Sequence, residues 1–312
     1  MDPIERRKEL LRFESEFVKT LPPLPATLTE EYLTIPGDHE KQLKVIRPTH
    51  LPATGSAPLI LLFHGGGFRA GTIEQLTRPA REFAETFGAV VVSAGYKLVP
   101  EHVFPENVED AYDTLLWVAR NSKEKLGVDL KNGFVVGGYS AGANIAAVLA
   151  TLATARGDLP PSITPTGSFL IIPTLLVPSI LPKEYTPLYT SRVENKDGAP
   201  GGPIRLSTEV IDGILAALNP DVHSPLFSPF NCAEDVLKQL PRTYIQVGGR
   251  DCLRDDGVVY EAFLRARGVD VRLDVSEGLG HTAYSIFTQK RDVEEEELKG
   301  KTMEGIKWLF RL

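Results

Sequence analysis

The chain has 312 residues, 42% of them hydrophobic, which is enough to bury one large α/β core with insertions. Its net charge is −7 and no Lys/Arg-rich run stands out, which excludes the basic footprint of a nucleic-acid partner and leaves small-molecule chemistry as the prior. Two cysteines, Cys232 and Cys252, give no disulfide framework, and no Cys/His cluster has zinc spacing, so no metal is expected. The first nine residues lack an apolar signal core, no stretch is long and apolar enough to span a bilayer, and no Asn-x-Ser/Thr acceptor occurs. The expectation is a cytoplasmic protein without a membrane span.

In chain order, Ile4, Leu10, Leu11, Phe13, Phe17 and Val18 fall mostly on one side of a helix, which the prolines of 21–25 stop. Strand patterns follow at 42–46, 58–63, 89–94, 133–138, 168–172, 243–248 and 269–275. Helical patterns at 74–87, 107–126, 141–155, 257–267 and 302–310 lie between and after them. Strands that are apolar throughout and alternate with helices predict an α/β fold with a parallel sheet covered on both faces. Residues 173–230 break the alternation. They are proline-rich, carry a glycine-rich piece at 198–202 and one helical pattern at 208–218, and read as a lid-like insertion.

The pieces of an acyl-transfer site stand at strand ends. The strand at 58–63 runs into His64-Gly65-Gly66-Gly67-Phe68, where bare backbone lets N–H groups approach a ligand oxygen. Gly65 and Gly66 are the expected oxyanion donors, with Ala141 as the third, and His64 braces the loop. Gly138-Tyr139-Ser140-Ala141-Gly142 is the chain's only Gly-x-Ser-x-Gly and reads as a nucleophile elbow, a serine on a sharp strand-to-helix turn. With 27 glycines in the chain such a pattern arises readily by chance, so its partners decide the matter. Asp251 lies just past the strand at 243–248 and is the acid candidate; its rivals, Asp255 and Asp256, are placed to cap the helix near Gly257. His281, in a glycine-rich loop after the last strand, has the pKa that general-base work requires. His39, His50, His102 and His223 have no comparable setting. The order Ser140, Asp251, His281 is the one expected of a triad on this type of fold.

These motifs resemble the hormone-sensitive lipase family of α/β-hydrolase-fold carboxylesterases, and the likeness runs from about Leu59 to His281. The stretches Tyr96-Lys97-Leu98-Val99-Pro100-Glu101-His102-Val103-Phe104-Pro105 and Ser224-Pro225-Leu226-Phe227-Ser228-Pro229 are similar to family segments as well. Tyr139 departs from the family's usual Asp before the serine. Within the family the likeness is to fungal members associated with secondary metabolism. The resemblance implies a mostly parallel eight-stranded sheet flanked by helices, with a helical cap. It divides the chain into an N-terminal cap segment at 1–40, a core at 41–172 and 231–312, and a cap insertion at 173–230. It implies a serine esterase that uses no cofactor and acts on a small-molecule ester. An acyltransferase or lactone-forming cyclase with the same triad is the alternative, and a non-catalytic receptor on this scaffold is a third reading. A homodimer is left open. The expected substrate-binding residues are Phe68, Tyr139, Phe17, Leu176 and Ile214, within apolar walls drawn also from Phe13, Val18, Leu175, Val177, Ile211 and Leu215.

Overall fold

A computed structural model describes residues 3–51, 55–199, 205–285 and 293–312. The elements run in the order α1 (Pro3–Thr20), β1 (Leu28–Ile35), β2 (Lys41–Pro48), β3 (Leu59–Phe63), α2 (Thr77–Phe87), β4 (Val90–Ala94) and α3 (Glu106–Leu126). Then come β5 (Phe134–Tyr139), α4 (Ala141–Arg156), β6 (Gly167–Ile171), α5 (Ser191–Glu194), α6 (Thr208–Leu218) and α7 (Glu234–Leu237). The chain finishes with β7 (Arg242–Gly248), α8 (Arg254–Arg265), β8 (Val271–Ser276) and α9 (Val293–Phe310). No helix among the described residues is long and apolar enough to cross a membrane.

One eight-stranded sheet has the order β1-β2-β4-β3-β5-β6-β7-β8, with β1–β2 and β2–β4 antiparallel and the other pairs parallel. The central strands β3, β4, β5 and β6 are buried at every residue, because helices cover both faces. Along β3 the side chains alternate: Leu59, Leu61 and Phe63 join the apolar cluster shared with α3, α4 and α8, while Ile60 and Leu62 join the one shared with α2 and α9.

The sequence reading missed β1, and placed its residues in a cap segment. Only Leu28 and Ile35 of this strand are buried, so it lacks the alternation that marks a half-buried strand. Its place is set by the ladder to β2 and by charge: Glu30 meets the buried Lys44 ammonium at 2.6 Å and Arg81 at 2.9 Å.

Residues 173–230 contain no strand among the described ones; they hold short helical turns, α5 and α6. α6 falls where 208–218 was expected, with Ser207 accepting from the Val210 N–H at its start. Of the glycine-rich piece at 198–202, residues 200–202 lie outside the described residues. The insertion packs Leu175, Val177, Leu206, Ile211, Ile214 and Phe227 into the same apolar mass as α4. Asn144 of α4 stitches its two ends together, donating to the carbonyls of Thr174 and Phe227, both at 2.9 Å.

Asp255 and Asp256 do not cap α8. Both sit inside its first turn, with Leu253 at the cap position, and both reach into the insertion. Asp255 accepts the N–H groups of Thr190 and Ser191 at 2.7 and 2.6 Å, and Asp256 those of Leu175 and Leu176 at 2.8 and 3.0 Å. Each carboxylate thereby meets backbone donors that the irregular chain would otherwise bury unpaired.

Candidate active site

β5 ends and α4 begins at Ser140, whose φ of 54° and ψ of −117° are strained for a residue with a side chain. The Ser140 N–H donates to the Ile171 carbonyl at 2.8 Å, and the Ser140 carbonyl accepts from Ala143 and Asn144 at 2.9 and 3.1 Å. The turn is this sharp because its flanks are bare. A Cβ at Gly142 would stand 2.2 Å from the Phe63 carbonyl oxygen, and one at Gly138 would stand 2.3 Å from Gly142 backbone.

Two loops converge on the serine. His281 Nε2 lies 2.9 Å from Ser140 Oγ, and His281 Nδ1 lies 2.7 Å from Asp251 Oδ2. Asp251 and His281 are both buried. The second Asp251 oxygen accepts the Leu253 N–H at 3.0 Å, so the carboxylate has a fixed orientation. Its loop is tied to the histidine's loop, since Gly249 N–H donates to Ser276 and Arg250 N–H to Leu279, both at 2.8 Å. From the insertion, Asn195 donates to the Asp251 carbonyl at 3.1 Å.

The glycine loop differs from expectation at one residue. Gly65 cannot serve as an oxyanion donor, because its N–H already donates to Gln75 Oε1 at 2.7 Å. Among the described residues, the N–H groups of Gly66, Gly67 and Ala141 meet no protein acceptor. His64 is buried, donates from Nδ1 to the Gly65 carbonyl at 2.8 Å and stacks on Tyr96 at 4.6 Å. Burial pushes its imidazole down to about 4, which keeps it neutral and suits a brace.

A cavity of about 530 Å³ opens over Ser140 and His281. Phe68, Tyr139 and Ile214 line it as expected, and so do Phe13, Ile211 and Leu215, while α1 adds Leu10. Phe17 and Leu176 do not line it. Phe17 packs on Phe13 at 6.1 Å along α1, and Leu176 is buried within the insertion, where its N–H meets Asp256. Val18, Leu175 and Val177 are likewise not in the walls. The Tyr139 ring packs edge-on against Phe169 at 6.1 Å, and its buried hydroxyl has no partner among the described residues. Sequence reasoning missed Gln75 and Glu14. No local pattern marks either, since both matter only through what they meet in space. Among the described residues, Asp38, His39 and Asp110 have metal-ligating spacing, but Lys41 at 2.5 Å from Asp110 and Lys97 at 2.6 Å from Asp38 occupy that cluster as counter-ions.

The strained serine at a strand-to-helix bend, facing histidine and aspartate beyond later strands of a mostly parallel sheet, defines the α/β-hydrolase fold. The family model for that fold matches residues 60–285, and the chain belongs to the family. Within it, the chain is one of the hormone-sensitive lipase-like carboxylesterases. An AB hydrolase superfamily protein of Schizosaccharomyces pombe is 31% identical over 292 residues, 92% of this chain and 83% of the relative. Esterase LipI of Mycobacterium tuberculosis is 35% identical over 76% of this chain and 69% of its own. The crystal structure of vibralactone cyclase superposes with a TM-score of 0.88 at 27% identity, covering 100% of this chain and 90% of that one.

Proposed function

We propose that the chain hydrolyses a small carboxylic ester through an acyl-enzyme on Ser140. One observation carries this reading: Asp251, His281 and Ser140 form a continuous hydrogen-bonded line, at 2.7 and 2.9 Å, at the floor of an apolar cavity. As Ser140 Oγ attacks the ester carbonyl, His281 Nε2 takes its proton and then returns it to the leaving alkoxide. Asp251 keeps the other nitrogen protonated and steadies the imidazolium. The tetrahedral oxyanion is received by the N–H groups of Gly66, Gly67 and Ala141, each donor supplying about 3 kcal/mol of barrier lowering. Water, activated by the same histidine, then releases the acid. α1 and residues 173–230 act together as the cap that makes the binding walls.

Ser140→Ala tests the reading with p-nitrophenyl acetate and butyrate. Turnover should vanish while the circular dichroism spectrum and Tm stay those of the parent. Turnover within about tenfold of the parent would exclude a serine nucleophile.

The full-length likeness to vibralactone cyclase favours a second reading, in which the acyl-enzyme is captured by a hydroxyl instead of water, giving a lactone or a new ester. Product analysis in the presence of added alcohols separates the two. Acid as the sole product supports hydrolysis, and an ester that dominates at modest alcohol concentration supports transfer.

A further inference from the structure

Resting on the reading that Ser140 is the nucleophile, we propose that Glu14 and Gln75 are positioning residues for the oxyanion loop, so that docking of α1 sets the rate of the chemical step. A chain of contacts runs from the N-terminal helix to the loop. Gly65 N–H donates to Gln75 Oε1 at 2.7 Å, and Gln75 Nε2 donates to Glu14 Oε1 at 3.3 Å. The other Glu14 oxygen accepts the Thr72 hydroxyl at 2.6 Å, and Thr72 Oγ1 accepts the Glu74 N–H at 3.1 Å. Glu14 is only 1% exposed and Gln75 5% exposed, so neither is held by solvent.

The chemistry of the amide explains why the two act as a unit. A glutamine offers one acceptor and one donor group at its tip. With its oxygen taken by the Gly65 N–H, its nitrogen needs an acceptor, and the Glu14 carboxyl supplies it. Without that acceptor the amide is free to rotate and present its own N–H groups to that of Gly65. Gly65 also packs against the elbow, where a Cβ would stand 3.0 Å from the Tyr139 carbonyl oxygen and 3.4 Å from Ser140 Cβ. Fixing the Gly65 amide therefore fixes the peptide planes that follow, and those carry the free N–H groups of Gly66 and Gly67. α1 grips the loop's far end as well, where Arg7 donates to the Arg69 carbonyl at 2.8 Å and pairs with Glu101 at 2.8 Å.

Burial, partly offset by the bonds from Thr72 and Gln75, pushes the Glu14 carboxyl up to about 7. The other charge facing it is Glu74, which raises it further and is itself held by Lys44 at 2.5 Å and Tyr32 at 2.6 Å.

The test exchanges the two groups. Gln75→Leu should lower kcat by about tenfold or more, with KM little changed and the same loss for p-nitrophenyl acetate and octanoate. Gln75→Glu sets two carboxyls face to face and should be equally poor at about pH 8, recovering at lower pH as the pair shares a proton. The double variant Glu14→Gln/Gln75→Glu restores the chain in reverse: the new carboxylate accepts from Gly65 and the new amide donates to it. Its kcat should return to within about threefold of the parent. Phosphorylation of Ser140 by paraoxon, which also builds charge on an oxygen in the loop, should follow the same ranking. That second readout stands even if the parent turns over no ester, an outcome that would refute the esterase reading alone. A double variant no faster than Gln75→Glu with unchanged Tm, losses that grow with acyl length, or a Gln75→Leu enzyme within twofold of the parent would each overturn the positioning role.

Discussion

Glu14 makes a prediction about stability that is independent of catalysis. Its carboxyl stands at about 7 in the folded protein against an ordinary 4.5, with burial as the leading cause. Between those values the folded chain holds a proton that the unfolded chain has lost, so unfolding releases it. Stability is therefore greatest below the unfolded pKa and falls as pH rises toward the folded one. At about 1.36 kcal/mol per pK unit, the full loss is on the order of 3 kcal/mol. Glu14→Gln keeps both contacts, since an amide can accept from Gln75 and donate to Thr72, but it removes the proton linkage. Thermal unfolding followed by circular dichroism from about pH 5 to pH 8 should show the variant gaining on the parent by a few degrees in Tm. Carboxylates held low elsewhere, such as Glu30 beside Lys44 and Arg81, tilt both curves alike and cancel in the difference. Parallel curves across that range would refute a buried, proton-holding Glu14.

Asp251→Asn should lower kcat by on the order of 10⁴ with little effect on Tm, whereas Asp255→Asn should lower Tm through its bonds to Thr190 and Ser191 and spare kcat. The reverse pattern would move the acid to Asp255. Gly142→Ala should destabilise the fold by roughly 3 kcal/mol or more, because its methyl group meets only backbone at 2.2 to 2.6 Å. Urea unfolding measures it, and a midpoint equal to the parent's would mean the elbow can spread. Ile214→Ala removes part of the cavity wall and should lower kcat/KM for p-nitrophenyl octanoate by about tenfold while leaving the acetate nearly unchanged. Equal losses for both esters would place Ile214 outside the acyl site.

Where a residue's position is written into its own neighbourhood, the sequence exposes it. The buried strands, the Ser140 bend and the loops that set Asp251 and His281 beside it are placed where the pattern puts them, because each depends on local hydrophobic pattern and glycine. What escaped depends on partners distant in sequence. β1 has too few buried side chains to show a period, and is defined by its ladder to β2. Nothing in His64-Gly65-Gly66-Gly67 reveals that the first glycine's amide is committed, since Gln75 takes it only after the chain has turned back. Asp255 and Asp256 look like helix caps from their position, yet their acceptor oxygens serve an insertion whose path has no regular pattern. The same irregularity hid the fact that Leu176 is buried outside the cavity walls.

α1 contributes both Leu10 in the wall of the cavity and Glu14 behind the glycine loop. The insertion is pinned to α8 and α4, and α1 is pinned to the glycine loop and its neighbours through Arg7 and Glu14. One helix thus supports a cavity wall and the glycine loop at once, so a substitution that loosens α1 reaches both together.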